Sequence, residues 1–372
     1  MKTIAFYLPQ FHSIPENDRM WGEGFTEWNN MKAARPLFEN HNQPRIPLNH
    51  NYYNLLEDDV LKWQVDLANE YGVDAFCFYH YWFDGKKLLE KPVERFLELS
   101  KLNKEYCLCW ANEAWTKAWV SKSDDVLYPQ VYGSKKNWEE HFRYLLPFFK
   151  DSRYIKDDGK PLFIIYRPEL IECLNEMLDY FNERAKEEGF SGMCFAYQQI
   201  AYDLLQSKDE SRFTYNIEYE PAYCMHELQS ENKAYSYLFK LGKFIDSICM
   251  RLFNKTLSSF YLNKVRTLDY DEMWKKCIER IPEDEKHVAA VFTDWDNTPR
   301  RGKKGIVAKG ANPEKFEYYL RKKVEMINKY YSTNYLFIFA WNEWAEGGYL
   351  EPDEKFKYGY LEAIKKVILD TK

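Results

Sequence analysis

Apolar residues along this chain fall into short, nearly unbroken runs, separated by longer segments in which they return every third or fourth position. Eight runs stand out: 3–8 (TIAFYL), 73–79 (VDAFCFY), 106–111 (YCLCWA), 161–166 (PLFIIY), 192–198 (GMCFAYQ), 213–219 (FTYNIEY), 287–293 (HVAAVFT) and 335–341 (YLFIFAW). Their aromatic and β-branched content, with little polar alternation, predicts strands buried on both faces of a parallel sheet. Between them, 57–71, 89–102, 137–150, 169–188, 313–330 and 355–369 carry apolar stripes among Lys and Glu, which predicts amphipathic outer helices. The alternation predicts an α/β fold, a (β/α)8 TIM barrel formed by residues 1–372 as one catalytic domain, a common size for such barrels. The competing doubly wound sheet lacks support, because no Gly-rich phosphate loop follows the first run.

Two segments are too long for ordinary connections. Residues 9–53 are rich in Pro, Asn, His and Trp and follow the first strand, where a long barrel loop usually serves function. Residues 221–270 read as an inserted helical segment. There Lys233, Lys240, Lys243, Arg251, Lys255, Lys264 and Arg266 alternate with Tyr, Phe and Leu. Two readings stand: a helical hairpin packed by its apolar stripe with a solvated basic face, or a basic face that docks on a membrane surface or a lipid-linked glycan.

A formal net charge of −6 gives no reason to expect nucleic acid as a partner. Aromatic residues make up 18% of the chain, and many sit beside polar ones, where flat faces suit stacking on sugar rings. The eight cysteines are scattered without knuckle spacing and read as reduced core thiols. With the first run starting at residue 3, no room is left for a secretory leader, which predicts a cytoplasmic protein, and no apolar run approaches the ~20 residues of a membrane span. No cofactor is called for.

Barrel active sites lie at the carboxyl ends of the strands. Those ends hold Gln10 and His12; His80, Tyr81 and Trp82; Asn112, Glu113 and Trp115; Arg167; Glu218 and Glu220; Asp294, Trp295 and Asp296; and Asn342, Glu343, Trp344 and Glu346. One mouth with carboxylates, imidazoles and indoles has the make-up of a sugar-binding cleft. Glycoside chemistry needs one carboxyl to protonate the departing oxygen and another as nucleophile or base. Glu343 and Glu346 offer a local pair, with Gly347-Gly348 giving the turn. Glu113 with Glu343, on two strands, is the alternative pairing, and a Glu346 that merely ties down its loop is the non-catalytic one. His12 and His80 compete with ordinary structural roles. Asp294-Trp295-Asp296 has the Asp-x-Asp form of some metal sites, but hydrogen bonding to sugar hydroxyls is the better reading, and no metal is expected.

Five ordered motifs add a resemblance. Phe6-Tyr7-Leu8-Pro9-Gln10-Phe11-His12, Gly24-Phe25-Thr26-Glu27-Trp28, Phe78-Tyr79-His80-Tyr81-Trp82, Trp110-Ala111-Asn112-Glu113-Ala114-Trp115 and Trp341-Asn342-Glu343-Trp344-Ala345-Glu346-Gly347, with Glu351-Pro352 behind, resemble the WbsX-like proteins of bacterial surface-polysaccharide loci. Those are similar to glycoside hydrolase family ninety-nine, the endo-α-mannosidases and endo-α-mannanases. The resemblance implies a carbohydrate substrate, mannose-like in that family, and catalysis by Glu343 and Glu346. Glu343 would be the base toward the sugar's 2-hydroxyl, giving a 1,2-anhydro sugar, and Glu346 the general acid and base, its pKa raised among Trp341, Trp344 and a neighbouring carboxylate. It places Gln10, His12, Glu27, Trp28, His80, Tyr81, Trp82, Asn112, Trp115 and Asn342 in the subsites, with Glu113 as a binder of hydroxyls. A retaining hydrolase or transglycosidase is the expectation. A glycosyltransferase of surface-polysaccharide synthesis and a non-catalytic glycan-binding barrel are the alternatives.

Overall fold

A computed structural model describes residues 1–116, 126–200, 209–231 and 265–369. Eight parallel strands form the barrel: β1 (Lys2–Tyr7), β2 (Ala75–Phe83), β3 (Glu105–Trp110), β4 (Lys160–Ile165), β5 (Cys194–Gln199), β6 (Phe213–Glu218), β7 (His287–Phe292) and β8 (Tyr335–Phe339). Each pairs with the next in chain order, and β8 returns to β1 with Thr3 opposite Leu336, which closes the ring. All eight expected strands are present and nearly fully buried, as their unbroken apolar runs require.

Helices wrap this ring. Those that bear on the site are α1 (Pro15–Trp21), α2 (Glu27–Ala33), α3 (Asp58–Tyr71), α4 (Lys91–Glu98), α5 (Lys135–Lys150), α6 (Leu174–Glu187), α7 (Ala222–Glu231), α8 (Tyr270–Glu279), α9 (Thr298–Arg301), α10 (Pro313–Tyr330) and α11 (Gly359–Ile364). α10 shows the logic: the Asn312 side chain caps the Lys315 N–H, Pro313 opens the first turn, and Phe316, Leu320, Val324 and Ile327 repeat at helical spacing on the buried face. The 9–53 segment contains α1 and α2, so it is partly helical. Of 221–270, α7 and the short strand Arg266–Asp269, which pairs with Ile306–Lys309, are described, and α8 begins at its last residue. Lys233, Lys240, Lys243, Arg251, Lys255 and Lys264, on which both readings of its basic face depend, lie outside the described residues.

Strand parity decides which side chains see the barrel interior. Phe6 stacks on Tyr79 at 5.6 Å and meets Tyr219 and Phe337, so this set points inward. Alternate positions point outward to the helices. Glu218 and Glu220 are among these, contrary to the expectation that they reach the mouth. Glu218 accepts from Lys323 of α10 at 2.9 Å and pairs with Arg280 at 3.0 Å, while Glu220 pairs with Arg280 at 2.6 Å. Buried charges need such partners, and this cluster knits β6 to α8 and α10.

Candidate active site

The chain leaving β8 is held in place before it turns. Asn342 Oδ1 accepts from the Leu8 N–H at 2.8 Å, and Nδ2 donates to the Leu8 carbonyl at 3.1 Å, fastening it to the end of β1. Asn342–Glu343 then pairs antiparallel with Gly348–Tyr349 around a tight 3-10 turn, Trp344–Glu346. Gly347 makes the reversal in the left-handed region at φ 74, and a Cβ there would lie 2.8 Å from the Asp296 backbone nitrogen. Behind the turn, buried Glu351 accepts from Trp344 Nε1 at 2.7 Å, Tyr53 Oη at 2.8 Å and Gln64 Nε2 at 2.7 Å. The Trp344 ring stacks on Tyr349 at 3.8 Å. Glu343 and Glu346 therefore stand on a short, braced loop.

A single guanidinium gathers their carboxylates. Arg300, in the short helix α9 that follows β7, donates from Nη2 to Glu343 at 2.7 Å, from Nη1 to Glu346 at 2.8 Å and from Nε to Glu27 at 3.2 Å. Its side chain is 5% exposed, Glu343 is 6% and Glu346 23%. Three carboxylates around one cation leave a charge of −2 if all are ionised, so a retained proton is favoured. Burial pushes Glu343 up to about 8 against the pull of Arg300, with the charges of Glu346 and Glu27 adding to the rise. Burial raises Glu346 as well, again opposed by Arg300. A proton retained by the pair is favoured, and Glu343, the more deeply buried of the two, is its better holder.

These groups face a cavity of about 190 Å³ walled by Tyr79, Tyr81, Tyr166, Tyr219 and Trp295, with Leu8, Ala111, Ala222 and Met225 completing the lining. Of the residues expected at the site, Glu343, Glu346 and Tyr81 line this cavity and Glu27 joins through Arg300. Gln10 donates to Tyr81 Oη at 3.1 Å, and Trp115 packs edge-on against the Tyr81 ring at 5.2 Å. Glu113 lies in an adjoining hollow with Glu346, where Arg167 donates to it at 2.6 Å.

Other expected residues are turned elsewhere. His80 and Trp82 have outward parity: His80 Nε2 meets His141 Nε2 of α5 at 2.9 Å, and Trp82 Nε1 donates to Asn137 at 3.2 Å. Burial lowers His80 to about 3, so it is neutral. His12 is likewise buried, lowered to about 4 and outside the cavity lining. Asn112 exchanges hydrogen bonds with the Arg167 backbone, both at 2.7 Å. Trp28 donates to the Tyr53 carbonyl and packs against Trp344, and Trp341 packs on Phe76, so all three indoles brace the loop from beneath. Asp294 and Asp296 do not point at the cavity: Arg45 pairs with Asp294 at 2.9 Å, while His41, Gln43 and Thr298 hold Asp296.

Arg300 is the main residue that strand-end reasoning passed over, because it follows β7 by eight positions. The signal was a Pro-Arg-Arg step at a helix start beyond the Asp-Trp-Asp end. Tyr79, Tyr166 and Tyr219 were hidden by parity. Among the described residues, Glu220, Cys224 and Cys277 are the one grouping of ligating side chains close enough to share an ion. Arg280 already occupies Glu220 there, on the helical layer away from the cavity. The seven described cysteines are free thiols.

Residues 3–364 match the family described as "Glycosyltransferase WbsX". The chain belongs to this family. It is 33% identical over 367 residues to the uncharacterized protein WxcX of Xanthomonas campestris pv. campestris, covering 98% of this chain and 49% of that protein. This WbsX-family chain thus spans about half the length of the curated relatives it matches. Its fold is similar to that of the GH99 endo-alpha-mannosidase from Bacteroides thetaiotaomicron, solved with Bis-Tris propane (TM-score 0.56, 14% identity, covering 99% and 96% of the two chains). It also resembles a "Glycoside hydrolase-like protein" (TM-score 0.55, 13% identity, covering 98% and 93%). Both likenesses concern the barrel fold. No helix among the described residues is long and apolar enough to cross a membrane.

Proposed function

We propose that this chain is a carbohydrate-active enzyme that breaks or makes glycosidic bonds with retention, using Glu343 and Glu346. One observation carries the reading: two carboxyls of raised pKa, held by the same guanidinium, face an aromatic cavity at the carboxyl end of the barrel. Tyr and Trp faces suit the apolar side of a sugar ring, while paired carboxyls can supply and accept protons on either side of an oxocarbenium-like transition state.

Glu343 is assigned as base toward the 2-hydroxyl and Glu346 as acid and base at the bridging oxygen, with a 1,2-anhydro sugar between the steps. This order follows the Glu-x-x-Glu motif. It requires the proton retained by the pair to lie on Glu346 in the complex, although burial alone favours Glu343. A bound sugar supplies the reason for the transfer: it removes the remaining water from Glu346, the more exposed of the two, and raises its affinity for the proton. Glu113, bonded to Arg167 beside Glu346, serves to bind hydroxyls of the neighbouring unit. The name of the matched family favours transfer to a growing glycan as the direction of reaction.

The test is incubation of the purified protein with oligosaccharides and, separately, with sugar-nucleotide donors, reading reducing ends and free nucleotide. Either activity should vanish in Glu346→Gln and Glu343→Gln. Activity that survives Glu346→Gln would overturn the assignment, and a loss in Glu113→Gln as severe as in Glu346→Gln would restore the two-strand pairing.

A further inference from the structure

On the outside of the barrel, α3 carries aromatic residues beside its core-facing stripe. Leu61, Gln64, Val65, Leu67 and Ala68 form the buried stripe. Trp63 lies next to it and is half-buried, leaning on Tyr53 at 6.0 Å with part of its ring open. Tyr71 follows Trp63 about 12 Å further along the helix and stacks on Tyr358 at 5.9 Å, the two rings within 3° of parallel. Trp63 and Tyr358 each wall two hollows, of about 590 Å³ and about 420 Å³, which together make one trough along α3.

The larger hollow is closed by the turn at 48–54. Asn49 and His50 follow one another in the left-handed region, at φ 57 and φ 54, which residues with side chains hold only where their surroundings fix them. The fixing comes from behind: the Leu48 N–H donates to the Pro352 carbonyl at 3.0 Å, and the Asn49 N–H to Glu354 Oε1 at 2.7 Å. Asn49, His50 and Asn51 are exposed and wall the trough. Among the described residues no hydrogen bond engages the side-chain amides of Asn49 and Asn51 or the Trp63 Nε1–H. Glu57 is the one carboxylate lining this hollow; in the other, Lys62 pairs with Asp66 and leaves Asp59 and Glu70 in excess.

We propose that this trough is a second, non-catalytic carbohydrate site, which holds a neutral stretch of glycan chain by stacking on Trp63 and Tyr358 and by hydrogen bonds to Asn49 and Asn51. Flat rings suit the apolar faces of sugars, and an amide both donates to hydroxyls and accepts from them. The excess of acids disfavours a chain rich in uronate or phosphate. The spacing of the aromatic residues suits a run of sugars over a single ring. The proposal rests on the carbohydrate reading of the catalytic cavity and adds a site that shares no lining residue with it. Tyr53 links the two: it walls the trough, and its hydroxyl donates to Glu351, the acceptor for Trp344 Nε1 in the catalytic loop. A glycan held in the trough stays near the cavity between encounters, which raises its effective concentration there.

Native electrophoresis of the full chain through gels containing α-mannan, galactomannan or dextran tests this, with alginate as the anionic polymer. Retardation by at least one neutral polymer is expected, and it should persist in Ala222→Trp, which fills the catalytic cavity. Trp63→Ala should weaken the binding by about tenfold or more. The pair Asn49→Gly with Asn51→Ala should do the same at exposed positions, with glycine keeping the left-handed turn, so the test holds even where Trp63→Ala unfolds. Tyr318→Ala, at an exposed aromatic of α10, should leave the retardation unchanged. No retardation by any neutral polymer, retardation by alginate alone, or retardation that survives both sets of trough substitutions overturns the proposal. So do dimers in sedimentation that Trp63→Ala dissociates without any polysaccharide binding, which would make a second copy of the chain the occupant. The two readings fail separately: binding lost in Ala222→Trp but kept in the trough variants removes this site alone, and trough-dependent binding with an active Glu346→Gln removes the catalytic assignment alone.

Discussion

Arg300 donates to Glu343 at 2.7 Å from one terminal nitrogen while its other holds Glu346, so one side chain sets both the spacing and the charge of the pair. A cation that stabilises both carboxylates also competes with the proton they need. Arg300→Met should lower kcat by about 10²–10³-fold, the usual cost of one preorganised charge partner. It should also move the acid limb of the pH profile upward, since the carboxyls lose the group that lowers their pKa. Lysine at 300 should restore the limb in part without restoring the fork geometry.

The protonation of the pair gives a pH dependence with a definite sign. In kcat/KM, which reports the free enzyme, activity should fall as pH rises through the region near 8, where Glu343 loses the one proton the pair must pass to Glu346. In kcat, which reports the complex, that limb should lie higher, because bound sugar desolvates Glu346 and strengthens its hold on the proton. Coincident limbs in the two profiles would contradict the transfer.

Stability should carry the same signature. Burial raises Glu343 to about 8 and Glu351 to about 7, above the usual carboxyl range, so the folded chain binds more protons than the unfolded one between these limits. Their contribution is full at acid pH and is lost as pH rises through the folded values. Glu343→Gln should therefore gain in Tm over the parent between pH 5 and pH 8, with no further gain above; thermal scans at several pH values would show it.

Gly347 is the hinge of the loop. Gly347→Ala places a Cβ against the Asp296 backbone at a left-handed φ, which should cost about 1–3 kcal/mol and reduce kcat more than it raises KM. Glu351→Leu should destabilise by about 3 kcal/mol, because Trp344, Tyr53 and Gln64 each lose their acceptor. Glu351→Gln should cost less.

The barrel was legible because strands buried on both faces leave unbroken apolar runs, and all eight were found. Which strand-end residues enter the cavity was far less so. Tyr79 and Tyr81 point in while His80 and Trp82 point to α5, a choice set by strand parity that a fully apolar run does not display. Asn342, Trp341 and Trp344 stood out in the motif yet serve the loop's own architecture, since a braced turn needs as many distinctive residues as a binding surface. Arg300 escaped notice because its place comes from a loop closed by Asn297 and Ile306, a tertiary fact with little local trace. Asp294 and Asp296 misled for the converse reason: their Asp-x-Asp spacing is visible, but His41, Gln43 and Arg45, which hold them, come from the other end of the chain.

The division of labour between the two glutamates can be read in one comparison. A glycosyl fluoride needs no proton on its leaving group but still needs its 2-hydroxyl deprotonated. With α-mannosyl fluoride and an acceptor glycan, Glu346→Gln should release fluoride at a rate within about tenfold of the parent while losing activity on the natural bond, and Glu343→Gln should be inactive on both, falling by the ~10²-fold or more that a general base supplies. Equal loss in the two variants on the fluoride, or fluoride release that survives Glu343→Gln, would contradict the roles assigned here.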